Sequence, residues 1–182
     1  MRTLRRLRHW SAVLASRSTS GGLASLRPLR RRPTLLLGLG AFEVGTLLAN
    51  RLDARLKDLA HLRVAALVGC AYCLDLGSEL GHRSGLTYEQ LADLHRYDSS
   101  DRFDADERLV LDLATALSAT PCALDDDLRE RAAARFSGAQ LAELYTAIAW
   151  ENHLARFNRA FGITPAGFSS GACALAVGAP PS

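Results

Sequence analysis

The sequence predicts an all-α fold. Three observations carry that expectation. Apolar residues recur every three or four positions through the body of the chain, three capping-box patterns open such runs, and no segment alternates apolar with polar residues as a half-buried strand would. Of the 182 residues, 48% are hydrophobic and 23% charged, which is ordinary for a globular protein. A body of roughly 150 residues buries enough surface to fold without disulfide staples.

Charge divides the chain into unlike parts. Residues 1–32 hold nine arginines and no acid, whereas the remainder holds 13 basic and 19 acidic residues. The body is mildly acidic and gives no nucleic-acid footprint. Residues 1–32 read as a basic, disordered N-terminal extension, although their Arg- and Ser-rich, acid-free composition is also that of a transit peptide. Residues 33–165 read as the folded domain, and 166–182, small and containing Gly and Pro, as a flexible C-terminal tail. Four cysteines in such a chain do not suggest a secreted disulfide framework, and a cytoplasmic location is expected.

Taken in order, Thr34 to Ala49 forms an apolar helix interrupted by Glu43. Its longest clean run, Leu35 to Phe42, is far short of the roughly 20 residues a membrane span needs, so no span is expected. A signal peptide would suit the preceding arginines, but no clear small-x-small cleavage site follows. Asp53 caps a helix from Ala54 to Val68, where leucines at 56, 59 and 62 keep helical spacing and Gly69 is the stop. The next helix starts at the Cys70-Ala71-Tyr72-Cys73 motif and ends near Ser84, before Gly85. Thr87 with Gln90, Asp104 with Glu107, and Ser137 with Gln140 are the three capping boxes. They open a short helix to Arg96, a helix over Ala105–Ala119 ended by Pro121, and a long helix to Phe161 closed by Gly162 and Pro165. Asp125 to Asp127 put negative charge at the start of a helix running to Phe136.

The chemistry is expected at the cysteine pair. Three residues apart, Cys70 and Cys73 fall on neighbouring parts of one helical face. In a first turn they lie beside free backbone N–H groups at the positive end of the helix dipole, where a thiolate is favoured. A thiolate cleaves a peroxide O–O bond and becomes a sulfenic acid, which a second nearby thiol converts to a disulfide. The same CxxC near a βαβ pattern would suggest thioredoxin, but no such pattern is present. Zinc would need a second ligand pair, and Cys122 and Cys173 are solitary, so no metal is expected. Two buried structural cysteines are the plain alternative.

The stretch from Leu59 to Leu76, with Gly69-Cys70-Ala71-Tyr72-Cys73 at its heart, resembles the signature of the carboxymuconolactone decarboxylase family, in its alkylhydroperoxidase D-like branch. Ile148 to Asn158 resembles that branch's final helix. Asn152 and Arg156 match its Asn and Arg, while Ala155 stands in place of its second Asn. The resemblance spans residues 34 to 165. It implies an alkylhydroperoxidase D-like helical bundle, homo-oligomers such as trimers or hexamers, and peroxiredoxin-type activity with no bound cofactor. It makes Cys73 the sulfenate-forming residue and Cys70 its partner, and puts Asp58 in the place of the family's Glu. Active peroxidases of the family carry a His four residues after the second cysteine, where this chain has Gly77, and a His just before it, where it has Tyr72. His82 is too far along and around the helix to substitute. His61, one turn from Asp58 on the same face, is a better proton carrier, or else a plain helix-contact histidine.

The expected function is thus a thiol-dependent peroxidase that reduces hydroperoxides and is restored by an external dithiol. The catalytic residues are Cys73, Cys70, Asp58 and His61, with Tyr72, Asn152 and Arg156 as pocket or interface candidates. A non-enzymatic, oligomeric redox-sensing module and a decarboxylase or lyase of the same family are the alternatives.

Overall fold

The helices end where their caps put them. The computed structural model describes residues 24–169. Two 3₁₀ turns, Ala24–Leu26 and Pro28–Arg31, lead into α1 (Pro33–Leu48), α2 (Ala54–Val68), α3 (Ala71–Ser84) and α4 (Tyr88–Asp93, continued by a 3₁₀ turn, Leu94–Arg96). α5 (Ala105–Ser118), α6 (Asp126–Arg135) and α7 (Gly138–Ala160) complete the order. The described residues contain no strand, as expected for the all-α class. Asp53 accepts the Arg55 N–H at 2.9 Å to start α2, and all three capping boxes form in full. Gly69 (φ 71°) and Gly85 (φ 106°) close α2 and α3 in the left-handed region, where a side chain would be strained.

α2 is the hub. Its Ala60 and Val64 pack into a core with Val110, Leu113, Leu144 and Ile148 of α5 and α7. Its Leu59 and Leu62, turned the other way, pack with Leu74 of α3 and with Leu86, Leu91 and Leu94 beyond it. Truncating a buried leucine of this kind typically costs roughly 2–5 kcal/mol. α3 lies close because Gly77 and Gly81 face it without side chains. A Cβ on Gly81 would come within 2.8 Å of Leu86 Cδ1 and 3.1 Å of Leu62 Cδ1.

α1 differs from the rest. None of its residues is buried, and Leu37 is 74% exposed. Its C-terminal end is fastened to the body by an ion pair: Lys57 Nζ lies 2.5 Å from Glu143 Oε2 and donates to Ala49 O at 2.8 Å. Glu143 also accepts the N–H groups of Arg51 (2.7 Å) and Leu52 (3.0 Å). Burial works against ionising Glu143, but Lys57 and these N–H groups outweigh it and hold the carboxyl below its usual range.

Residues 166–169, expected within a flexible tail, are instead tied down. Buried Asp75 accepts the N–H groups of Ala166, Gly167 and Phe168 on Oδ2 at 2.9, 2.6 and 3.0 Å. Its Oδ1 takes the N–H and hydroxyl of Ser169 at 2.8 and 2.9 Å. A buried carboxylate must find such donors, and this one finds them in backbone. Within the basic extension, Leu29 is buried, at 7% exposure. Residues 1–23 and 170–182 lie outside the described residues, and with them most of both expected tails.

Candidate active site

Cys70 is the N-cap of α3, and its sulfur accepts the Cys73 N–H at 3.2 Å. The two Cα atoms are 5.3 Å apart and the sulfurs are joined as a disulfide. The pair is asymmetric. Cys70 is 2% exposed and packs with Tyr72, Ala155 and Phe168, whereas Cys73 is half-buried and lines a cavity of about 700 Å³. The side-chain amide of Asn158 on α7 donates to Cys73 Sγ at 3.4 Å. Asn158 is itself buried, so little water competes for that sulfur.

Asp58 and His61 line the same cavity from α2, one turn apart, Asp58 buried and His61 half-buried. Tyr72 lines it too. Burial raises the pKa of its phenol, a hydrogen bond with Ser25 opposes this, and its ring meets Phe168 edge-on at 6.2 Å. Gly77 also borders the cavity, and a Cβ there would lie 3.1 Å from Leu62 Cδ2, so the fully buried Leu62 would have to give way. His82 is exposed, stacked on Tyr88 and bonded to Leu86 O, away from the cysteines as its spacing requires.

Asn152 and Arg156 do not line the cavity. Asn152 Nδ2 donates to Ser118 Oγ (2.8 Å) and Ile148 O (3.0 Å), and exposed Arg156 donates to Asn152 Oδ1. Of their expected pocket or interface role, helical phase corrects the pocket half and leaves the interface half as a proposal. The inward stripe of α7 runs through Ala147, Glu151, Leu154 and Asn158, and positions 152 and 156 are turned out of it.

That stripe supplies groups the sequence pattern did not assign to the site. Glu151 is 8% exposed, and its Oε1 has no hydrogen-bond partner among the described residues. Burial, reinforced by the neighbouring Glu43 carboxyl, raises its pKa to about 8. Glu43, on α1, is also raised by burial, partly offset by the Trp150 Nε1–H it accepts at 2.8 Å. The seven-residue spacing of Glu151 and Asn158 was the available signal. Among the described residues, no group of three or more His, Cys, Asp and Glu is arranged to hold a metal ion. No described helix is long and apolar enough to cross a membrane.

This chain belongs to the carboxymuconolactone decarboxylase family and has the helical fold of its alkylhydroperoxidase D-like members. The family model matches residues 33–116. The uncharacterized protein YnjA of Escherichia coli K12 is 36% identical over 147 residues, covering 78% of this chain and 80% of that one. The uncharacterized YdfG of Bacillus subtilis 168 is 25% identical over 107 residues, 58% and 73% of the two chains. Among solved structures, the apo debrominase Bmp8 superposes with a TM-score of 0.73 at 21% identity, covering 81% of this chain and 80% of that one. An Agrobacterium tumefaciens protein of unknown function, suggested to be an antioxidant-defence AhpD protein, superposes at 0.68 with 23% identity, covering 76% and 95%. At these identities the superpositions speak for the fold alone.

Proposed function

We propose that this protein is a thiol-dependent hydroperoxide reductase. The observation that carries the reading is the asymmetric cysteine pair: Cys73 faces a cavity from the first turn of α3, with Cys70 buried behind it at bonding distance. The Cys73 thiolate attacks the outer oxygen of ROOH and the O–O bond breaks. Cys73 becomes a sulfenic acid, and RO⁻ leaves as ROH after taking a proton, for which Asp58 and His61 are the candidates. Cys70 then attacks the Cys73 sulfur, releasing water and forming the disulfide. An external dithiol returns both sulfurs to thiols, being oxidised itself. The Asn158 amide supports the thiolate, as does the end of α3. An antioxidant role fits membership of the family, and a trimer or hexamer is the assembly we propose from it.

The test is turnover of cumene hydroperoxide with dithiothreitol, wild type against Cys73→Ser. Loss of turnover in the variant is expected, and equal turnover would overturn the reading. Gly77 favours a second reading, a redox-sensing module that oxidises without fast turnover, because no imidazole stands there. Gly77→His, paired with Leu62→Ala to make room, separates the two. A large gain in rate would favour the sensor, and no gain would mean another group already moves the proton.

A further inference from the structure

The cavity has two chemically different ends. Cys73 and Asn158 mark one, and Glu43 and Glu151 the other. Glu151 and Asn158 are seven residues apart on one face of α7, which puts about 10 Å between the two ends. Most of the cavity's lining is apolar, including Leu76, Leu80, Ala147 and Leu154. A buried carboxyl, Glu151, beside a half-buried one, Glu43, is costly in such a space unless something answers it. Trp150 answers one oxygen of Glu43, and Glu151 Oε1 is left without a donor among the described residues. The cavity does contain a cationic side chain, Lys57, but its ammonium is engaged by Glu143 and Ala49 O.

We infer that the Glu43–Glu151 end of the cavity is a seat for an organic cation, an alkylammonium-type group on a substrate whose apolar chain reaches toward Cys73. The seat itself is independent of the peroxidase reading, and only the fate of the bound molecule rests on Cys73 being the reacting thiol. An ammonium supplies the N–H donor that Glu151 Oε1 lacks and neutralises the charge that burial disfavours. At pH 7 the isolated Glu151 holds its proton, so seating the cation expels that proton to buffer: ammonium plus carboxylic acid gives an ammonium–carboxylate pair and H⁺. Among the described residues, the other ionisable groups facing the cavity are Lys57, Asp58 and His61 from α2, Tyr72 from α3 and Glu143 from α7, so proton release must be traced to Glu151 by substitution.

The experiment is isothermal titration of the oxidised, full-length protein with n-octylamine, n-octanol and octanoate at pH 7, repeated in buffers of different ionisation heat. Octylamine is expected to bind at least tenfold more tightly than octanol, octanoate least, with a net proton released per amine bound. In Glu151→Gln both the preference and the proton release should disappear. Octanol binding as well as octylamine, or an amine preference unchanged in Glu151→Gln, overturns the inference. If the variant does not fold, the wild-type ranking of the three probes decides alone. No step of this assay involves turnover, so hydroperoxide reduction can fail while amine binding holds, and the reverse.

Discussion

Asn158 offers a way to measure how the protein prepares its sulfur. Its Nδ2 donates to Cys73 Sγ at 3.4 Å, while its Oδ1 is buried without a partner among the described residues. A hydrogen bond to a charged acceptor contributes about 1.5–3 kcal/mol, and a sulfur acceptor at this length belongs at the lower end. About 1.4 kcal/mol corresponds to one pKa unit. The donor stabilises the thiolate, so removing it shrinks the thiolate fraction and lowers alkylation of Cys73 at pH 7 roughly tenfold. Asn158→Leu removes the unpartnered Oδ1 along with the donor, so the fold should lose about 1 kcal/mol or less. The assay is the pH profile of iodoacetamide modification of the reduced protein, resolved to Cys73 by peptide mass, beside urea unfolding of the same variant. A Cys73 profile unmoved in Asn158→Leu would refute the role, as would a shift accompanied by collapse of stability.

Three more outcomes are expected from the same geometry. Glu151 is raised from 4.5 to about 8 in the fold, so unfolding lets it ionise; stability should fall as pH rises between these values and level off above, by roughly a few kcal/mol. Urea midpoints from pH 4.5 to 8.5 check this, and Glu151→Gln should flatten the curve. Asp75→Ala removes five hydrogen-bond acceptor contacts to residues 166–169 and should cost about 3 kcal/mol, with faster proteolytic cleavage near Phe168; unchanged proteolysis would count against the tether. Gly81→Ala drives a methyl to 2.8 Å from Leu86 Cδ1, so despite the better helix propensity of alanine the melting temperature should fall, by about 1–3 kcal/mol of stability.

The sequence was most legible where its signals are local. The caps at Asp53, Thr87, Asp104 and Ser137 and the stops at Gly69 and Gly85 act within a few residues, and the helices begin and end beside them. The cysteine pair at the start of α3 was legible for the same reason. The rest of the site depends on which way a long helix is turned. Resemblance to the family points to Asn152 and Arg156, whereas packing turns Glu151 and Asn158 inward. Glu43 reaches Trp150 from 107 residues away, a contact no local pattern encodes. The tie between Asp75 and residues 166–169 was hidden because its donors are mostly main-chain N–H groups, which every residue but proline carries.

The unequal depth of the two sulfurs sets an order of events on the return journey. A thiol arriving from solvent meets Cys73 first, since Cys70 lies beneath Tyr72 and Phe168. Under the proposed function, the transient link to a reductant would therefore form on Cys73, with Cys70 the sulfur set free. As that sulfur departs with its negative charge, the Cys73 N–H already points at it. On that proposal, one helix start would serve both sulfurs, favouring Cys73 as the attacker and Cys70 as the leaving group.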